Sequence, residues 1–245
     1  MKITFVGTSH GYPEFGRKLS CTMLEIDGYI YFIDAGAPVA QFAADRIQDK
    51  EQIRALFVTH RHSDHLGGSF EFLITVNEYW QQVSLDVVLP EQRAIALVEH
   101  VLLQESASIH RDRIRFFDLS CEPSYQDPRM KLTAIPNRHT NGLLRSYGFY
   151  IEAEGKKLLF TGDMHADLQD FPEIAFGSEE LDLIVSEFAH SNIETMAPIV
   201  DKVHTKQLLF NHIYPLEDKA PTIEAWNESH CFDIRCVNDD DTFII

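Results

Sequence analysis

Residues 58–68 read VTHRHSDHLGG and place three histidines and an aspartate within six positions. The apolar ALFVT run that leads into them has strand character, so His60 and His62, two residues apart, leave it on the same side and can share one ion. Asp64 and His65 follow as the chain turns toward a helix expected to begin at Ser69, so they can face a second ion beside the first. Gly67 and Gly68 are expected to let the backbone turn tightly there. Imidazole nitrogens and carboxylate oxygens suit zinc, and also manganese or iron where oxygen ligands are added. A lone histidine in such a loop is ordinarily a solvated side chain. A cluster of this density has a metal site as its simplest explanation.

Two ions need further ligands, and other strand ends supply them. MKLTAIPNRH runs to His139, KKLLFTGD to Asp163, whose carboxylate can bridge two cations, and KQLLFNH to His212. A strand packed among others is rigid, and its end delivers a ligand accurately to a common cleft. Asp34 in YFIDAG also closes an apolar strand; a carboxylate buried there can accept hydrogen bonds from the 58–68 loop and orient its histidines without binding metal itself.

Beyond these ends, short β-branched and aromatic runs recur: KITFVG, CTMLEI, YIYFID, LDVVLP, IRFFDL, SYGFYIEA, LDLIVSE, IRCV and TFII. Helices are predicted over 69–82, 91–104, 196–203 and 221–229, the first with Phe70, Leu73, Ile74, Asn77 and Trp80 roughly on one face. Gly28, Gly155 and the NDDD near the end read as hairpin turns. Strands in the majority, with helices inserted in both halves, favour an α/β (α+β) architecture of two sheets sandwiched between helices. No linker divides residues 1–245, so a single domain is expected.

The bulk chemistry narrows the function. The 245 residues are 44% hydrophobic and 24% charged, ordinary for a soluble globular chain. No apolar run approaches the ~20 residues that span a bilayer, and MKITFVGTSHG lacks the apolar region of a signal peptide; a cytoplasmic protein with no membrane partner is expected. Cys21, Cys121, Cys231 and Cys236 form no CxxC pair and read as free thiols. A net charge of -17 repels phosphate backbones over most of the surface, which disfavours large nucleic acids but not small anions drawn to a metal.

THRHSDH matches the H-x-H-x-D-H signature of the metallo-β-lactamase superfamily, and Asp34, His139, Asp163 and His212 fall in that family's order. The resemblance spans nearly the whole chain and implies a four-layer αββα sandwich with the site at one edge of the two sheets. By the same resemblance His60, His62 and His139 hold the first metal, Asp64, His65 and His212 hold the second, and Asp163 bridges. It implies two divalent ions, Zn2+ foremost, with Mn2+ or Fe2+ as alternatives. The opening FVGTSHGYPEFGRKLSCTMLEIDG and the TNGLLRSYGFYIE after His139 are similar to the ribonuclease Z and cyclic phosphodiesterase branch. In LDLIVSEFAHSN, Glu187 and His190 occupy the place where that branch keeps a Glu and a His for acid–base work, although ribonuclease Z follows the Glu with Ala-Thr. Asp64, Glu187 and His190 are thus the catalytic candidates.

Two divalent ions about 3.5 to 4 Å apart acidify a shared water and supply hydroxide at neutral pH. Hydrolysis is the expected chemistry, and the fold hosts several kinds of it. The basic arm with which ribonuclease Z grips transfer RNA is not found between these motifs, so a small phosphodiester, a cyclic nucleotide or cyclic sugar phosphate, is the expected substrate. Arg17, Lys18, Arg138 and Arg145 are candidate phosphate contacts, and His10 a candidate cleft residue. The alternatives are a thioester or lactone hydrolase of the glyoxalase II type, a ribonuclease Z-like RNA processor, and a noncatalytic metal-binding protein. An iron oxidoreductase of the flavodiiron kind is disfavoured, since it needs a flavin domain. A homodimer is compatible with the resemblance.

Overall fold

The computed structural model describes residues 1–12 and 14–245; Pro13, inside the opening segment quoted above, lies outside the described residues. The first half runs β1 (Lys2–Gly7), β2 (Cys21–Ile26), β3 (Tyr29–Ile33), α1 (Val39–Arg46), β4 (Ile53–Phe57), α2 (Ser63–Leu66), α3 (Ser69–Glu78), β5 (Leu85–Leu89), α4 (Gln92–Glu105) and β6 (Ile114–Asp118). The second runs β7 (Ser124–Gln126), β8 (Met130–Pro136), β9 (Tyr147–Ala153), β10 (Lys156–Phe160), β11 (Leu183–Phe188), α5 (Ile193–Val200), β12 (Gln207–Ile213), α6 (Leu216–Ser229), β13 (Asp233–Cys236) and β14 (Thr242–Ile244). Among the described residues no helix is long and apolar enough to cross a membrane.

Among the described residues these strands form two seven-stranded sheets, ordered β14-β1-β2-β3-β4-β5-β6 and β13-β12-β11-β10-β9-β8-β7. Each is antiparallel in one part and parallel in the other: β3 to β6 run parallel, as do β10 to β13. Because β8 and β10 both pair antiparallel with β9, they share a direction. The ends of β8, β10, β11 and β12 therefore emerge at one edge of their sheet, and β3 and β4 end together in the other.

Inner faces pack on each other through Phe5, Leu24, Tyr31, Phe57, Phe149, Leu158, Val185 and Leu209. Alternation along each strand sends the opposite residues outward. Phe32, Leu56 and Val87 pack under Val39 of α1, Phe72 of α3 and Val98 of α4, while Ile184, Leu208 and Phe210 pack under Met196 of α5 and Ile223 of α6. The layers run αββα, the architecture the sequence implies.

Several local expectations are corrected. Helix α3 stops at Glu78 rather than at residue 82, because the Tyr79 and Trp80 N–H groups both return to the Thr75 carbonyl and close the turn. Helix α5 spans Ile193–Val200 instead of 196–203, its start fixed by the Asn192 side chain accepting from Thr195 N–H at 2.8 Å. Helix α6 begins at Leu216, not at Pro221, with Glu217 and Asp218 in the first turn, where acidic groups suit the helix dipole. Helices α1 and α2 and strand β7 lie outside the elements predicted from the sequence; α2 and β7, at four and three residues, are too short to show a period. Gly28 and Gly155 do make hairpins, each with its preceding residue also at positive φ. NDDD does not: it carries the chain from β13 in one sheet to β14 in the other, and Asp239 there accepts from Thr8 N–H at 2.9 Å and Lys18 N–H at 2.7 Å.

Candidate metal centre

The 58–68 loop is held from behind by Asp34. One carboxylate oxygen accepts from Thr59 N–H at 2.8 Å and from Thr59 Oγ1 at 2.9 Å, and the other lies 2.7 Å from His65 Nδ1. The loop also packs backbone to backbone on the DAG turn, since Ala35 N–H donates to the His65 carbonyl and Gly68 N–H to the Ala35 carbonyl. Gly68 serves this approach rather than a sharp turn. Gly67 and Gly68 are in the ordinary right-handed helical region, and a Cβ on Gly68 would stand 2.2 Å from the Ala37 carbonyl oxygen. Asp34 and His212, at the ends of β3 and β12, both adopt positive φ, 59° and 50°. Such backbone costs on the order of 1–3 kcal/mol and persists where the surroundings over-determine it.

The sequence-predicted ligands are brought together in two groups. His60 Nε2 lies 2.9 Å from His62 Nδ1, which lies 3.2 Å from His139 Nε2. Asp64 Oδ2 lies 3.1 Å from His212 Nε2 and 3.3 Å from His65 Nε2, and the two ring nitrogens are 3.3 Å apart. Between the groups stands Asp163: its Oδ2 is 3.3 Å from His65, 3.6 Å from His139 and 3.7 Å from both His60 and His212. The ligand atoms of His60, His62 and His139 lie within 4.8 Å of one another, as do those of Asp64, His65, Asp163 and His212.

This donor set fits divalent cations. Ring nitrogens that converge on one another at such distances cannot all be satisfied by mutual hydrogen bonds, whereas a cation between them accepts every lone pair. The far nitrogens are partly engaged: His60 Nδ1 lies 3.1 Å from Thr59 Oγ1 and His65 Nδ1 is on Asp34, which fixes ring orientation. Burial holds His60, His62 and His139 below the ordinary histidine value, keeping those imidazoles neutral and able to coordinate. Burial acts against ionised Asp64 and Asp163 too, but the surrounding His rings outweigh it and hold both carboxyls below the usual range. Burial likewise opposes a charge on His65, yet Asp163 and Asp34 push its value well up. The carboxylates thus demand a positive charge at their centre.

Glu187, at the end of β11, and His190 stand beside this cluster. His190 Nδ1 is 3.3 Å from Glu187 Oε1, and His190 Nε2 is 3.9 Å from Asp163 Oδ2. Burial disfavours the imidazolium, but the hydrogen bond to Glu187 and the charges of Glu187 and Asp163 push His190 up to about 9. The ring of His10 stacks on Tyr214 at 4.0 Å and stands 6.2 Å from that of His212. Of the candidate phosphate contacts, Arg17 is engaged by Glu14 and by the Thr8 and Ile213 carbonyls, Lys18 by Val6 O and Asp240, and Arg138 by Asp167. Arg145 lines a separate hollow with Glu91, Arg93 and Leu143. Sequence reasoning passed over Thr59, Gly11, whose N–H donates to Asp64 Oδ2 at 2.8 Å, and Tyr214. Thr59 sits inside the quoted stretch itself; the other two carry no local signal, since only the folded loops bring them near.

The family described as Anti-Pycsar protein Apyc1 matches residues 1–223, which include every one of these candidate ligands. The chain belongs to that family. Among solved structures, this Apyc1-family chain is similar to the metallo-β-lactamase fold protein YhfI from Bacillus subtilis, with a TM-score of 0.77 and 15% identity over 99% of both chains. Human tRNase Z, short form, superposes with a TM-score of 0.72 and 20% identity over 100% of this chain and 99% of that one. Ribonuclease Z of Nitrosopumilus maritimus strain SCM1 is 35% identical over 92 residues, 37% of this chain and 30% of the relative. The chain also spans under two thirds of the length of four other ribonuclease Z sequences. The metallo-β-lactamase fold and the likeness to the ribonuclease Z branch agree with the motifs.

Proposed function

We propose that this Apyc1-family protein is a metal-dependent hydrolase of a small phosphodiester, a cyclic nucleotide or cyclic sugar phosphate. The observation that carries the reading is Asp163 Oδ2, which faces both ligand groups and His190 at once. His60, His62 and His139 would hold one cation, Asp64, His65 and His212 the other, with Asp163 between them. Bound there, divalent cations supply Lewis acidity, activating water at neutral pH and neutralising charge on the phosphate oxygens. Asp34 and Thr59 keep the histidine rings oriented throughout. His190 presents Nε2 toward the centre while Glu187 holds Nδ1, an arrangement suited to handing a proton to the departing alkoxide. The likeness to proteins named for RNA cleavage supports phosphoester chemistry. The net charge of -17 favours a substrate small enough to meet the protein only at its cations.

The test is a panel of bis(p-nitrophenyl) phosphate, cyclic nucleotides, cyclic sugar phosphates, a lactone and a thioester on metal-loaded protein. Turnover of phosphodiesters alone is expected. Cleavage confined to the lactone or thioester overturns the reading, and so does full activity of Asp163→Ala.

A further inference from the structure

Lys219, near the start of α6, is 6% exposed, a burial that is costly for an ammonium group without hydrogen bonds. Its Nζ donates to the carbonyl oxygen of Phe188 at 2.5 Å and of Ser191 at 2.8 Å, and lies 4.3 Å from the centre of the Phe188 ring. Among the described residues it forms no ion pair with a carboxylate within 4.0 Å, so its hydrogen bonding is directed at these two carbonyls. From the other side, Glu187 Oε2 accepts from the N–H groups of Ala189 at 2.6 Å and His190 at 3.1 Å. Residues 188–191 are therefore gripped by an anion on their N–H groups and a cation on their carbonyls. The side chain this turn presents to the metal centre is His190. A methionine or leucine would fill the space of the lysine stem with less desolvation; what it could not do is hold the two carbonyls that bracket Ala189 and His190.

We propose that Lys219 is a positioning residue: with Glu187 it clamps the 188–191 turn and fixes where His190 sits relative to Asp163. The inference rests on the reading of His190 as proton donor to the leaving group. When a diester is cut, the proton on His190 Nε2 passes to the departing oxygen and is replaced from solvent. An alkoxide leaving group needs that proton, and p-nitrophenolate leaves without it.

The experiment compares Lys219→Met, Lys219→Arg, His190→Ala and the Lys219→Met/His190→Ala double variant, all metal-loaded, on an alkyl and a p-nitrophenyl phosphodiester. Lys219→Met is expected to lower kcat on the alkyl ester about ten- to a hundredfold, with KM and the p-nitrophenyl rate within about twofold. Lys219→Arg should recover part of the loss, because a guanidinium can serve both carbonyls. In the His190→Ala background Lys219→Met should cost nothing more. Amide exchange at Ala189 and His190 should quicken about tenfold in Lys219→Met, the scale of one lost hydrogen bond. Equal loss on both esters, a loss that persists without His190, or unaltered exchange overturns the proposal. If His190→Ala alone does not separate the two leaving groups, the proton-donor reading has failed; the clamp then stands or falls on the amide exchange.

Discussion

Asp34 Oδ2 lies 2.7 Å from His65 Nδ1, on the opposite side of the ring from the nitrogen that faces Asp163. The aspartate that closes β3 thus orients a histidine of the candidate metal centre from behind. Asp34→Ala is expected to weaken divalent-metal affinity by about 10- to 100-fold, the usual effect of removing a partner behind a ligand. Competition with a chelator of known affinity measures this; unchanged affinity would show that His65 is held by packing alone.

Gly36 packs against the same loop one residue earlier. A Cβ there would stand 1.7 Å from the Asp64 carbonyl oxygen and 2.9 Å from Leu19 Cβ. Gly36→Ala must push α2 away, at a cost of about 1–3 kcal/mol for overpacking. Metal analysis should show the Asp64, His65 and His212 group losing its ion while His60, His62 and His139 keep theirs. Full occupancy of both would mean that the loop yields without moving Asp64.

Metal removal should also destabilise the fold. The candidate ligands come from both sheets, and a cation bound only by the folded chain contributes about 2.7 kcal/mol at a concentration 100 times its dissociation constant. Thermal unfolding with and without a chelator should show the lower midpoint in the chelated sample. Asp163→Ala should narrow that gap, since its carboxylate faces both groups.

Far from the candidate metal centre, Tyr125 OH donates to Asp86 Oδ2 at 2.8 Å while Arg115 forks onto both oxygens of the same carboxylate at 2.7 and 2.8 Å. Burial pushes the phenol well above its ordinary value, and the bond to Asp86 adds to it. An unfolded tyrosine ionises near ~10, so this contribution is fully present below that pH. It declines above it, because the unfolded chain releases the proton first. Thermal midpoints measured from about pH 8 to about pH 11 should fall more steeply for the wild type than for Tyr125→Phe. Parallel curves would show that the phenol does not titrate differently on folding.

Much of this was readable along the chain because metal chemistry leaves local marks. His60, His62, Asp64 and His65 sit within one loop, and His139, Asp163 and His212 each close an apolar run. The layering followed from β-branched and aromatic runs in the majority with helices inserted in both halves, and from the family resemblance of the motifs. Helix starts were harder: α6 opens at Leu216 because its acidic first turn favours that end, and a proline inside the pattern drew attention to the wrong place. Gly68 reads as a turn residue, yet what it supplies is the absence of a Cβ where two backbones touch.

Residue type and spacing were sufficient to pick out the candidate ligands that the fold brings together, because coordination depends on donor atoms and on periods of a few residues. Which ring nitrogen faces inward, which carboxylate oxygen stands between the groups, and how Lys219 on α6 reaches the turn that carries His190 were decided only by packing. Those relationships join segments such as β3 with the 58–68 loop and α6 with the end of β11, distant in sequence and adjacent only once the two sheets close on their shared core.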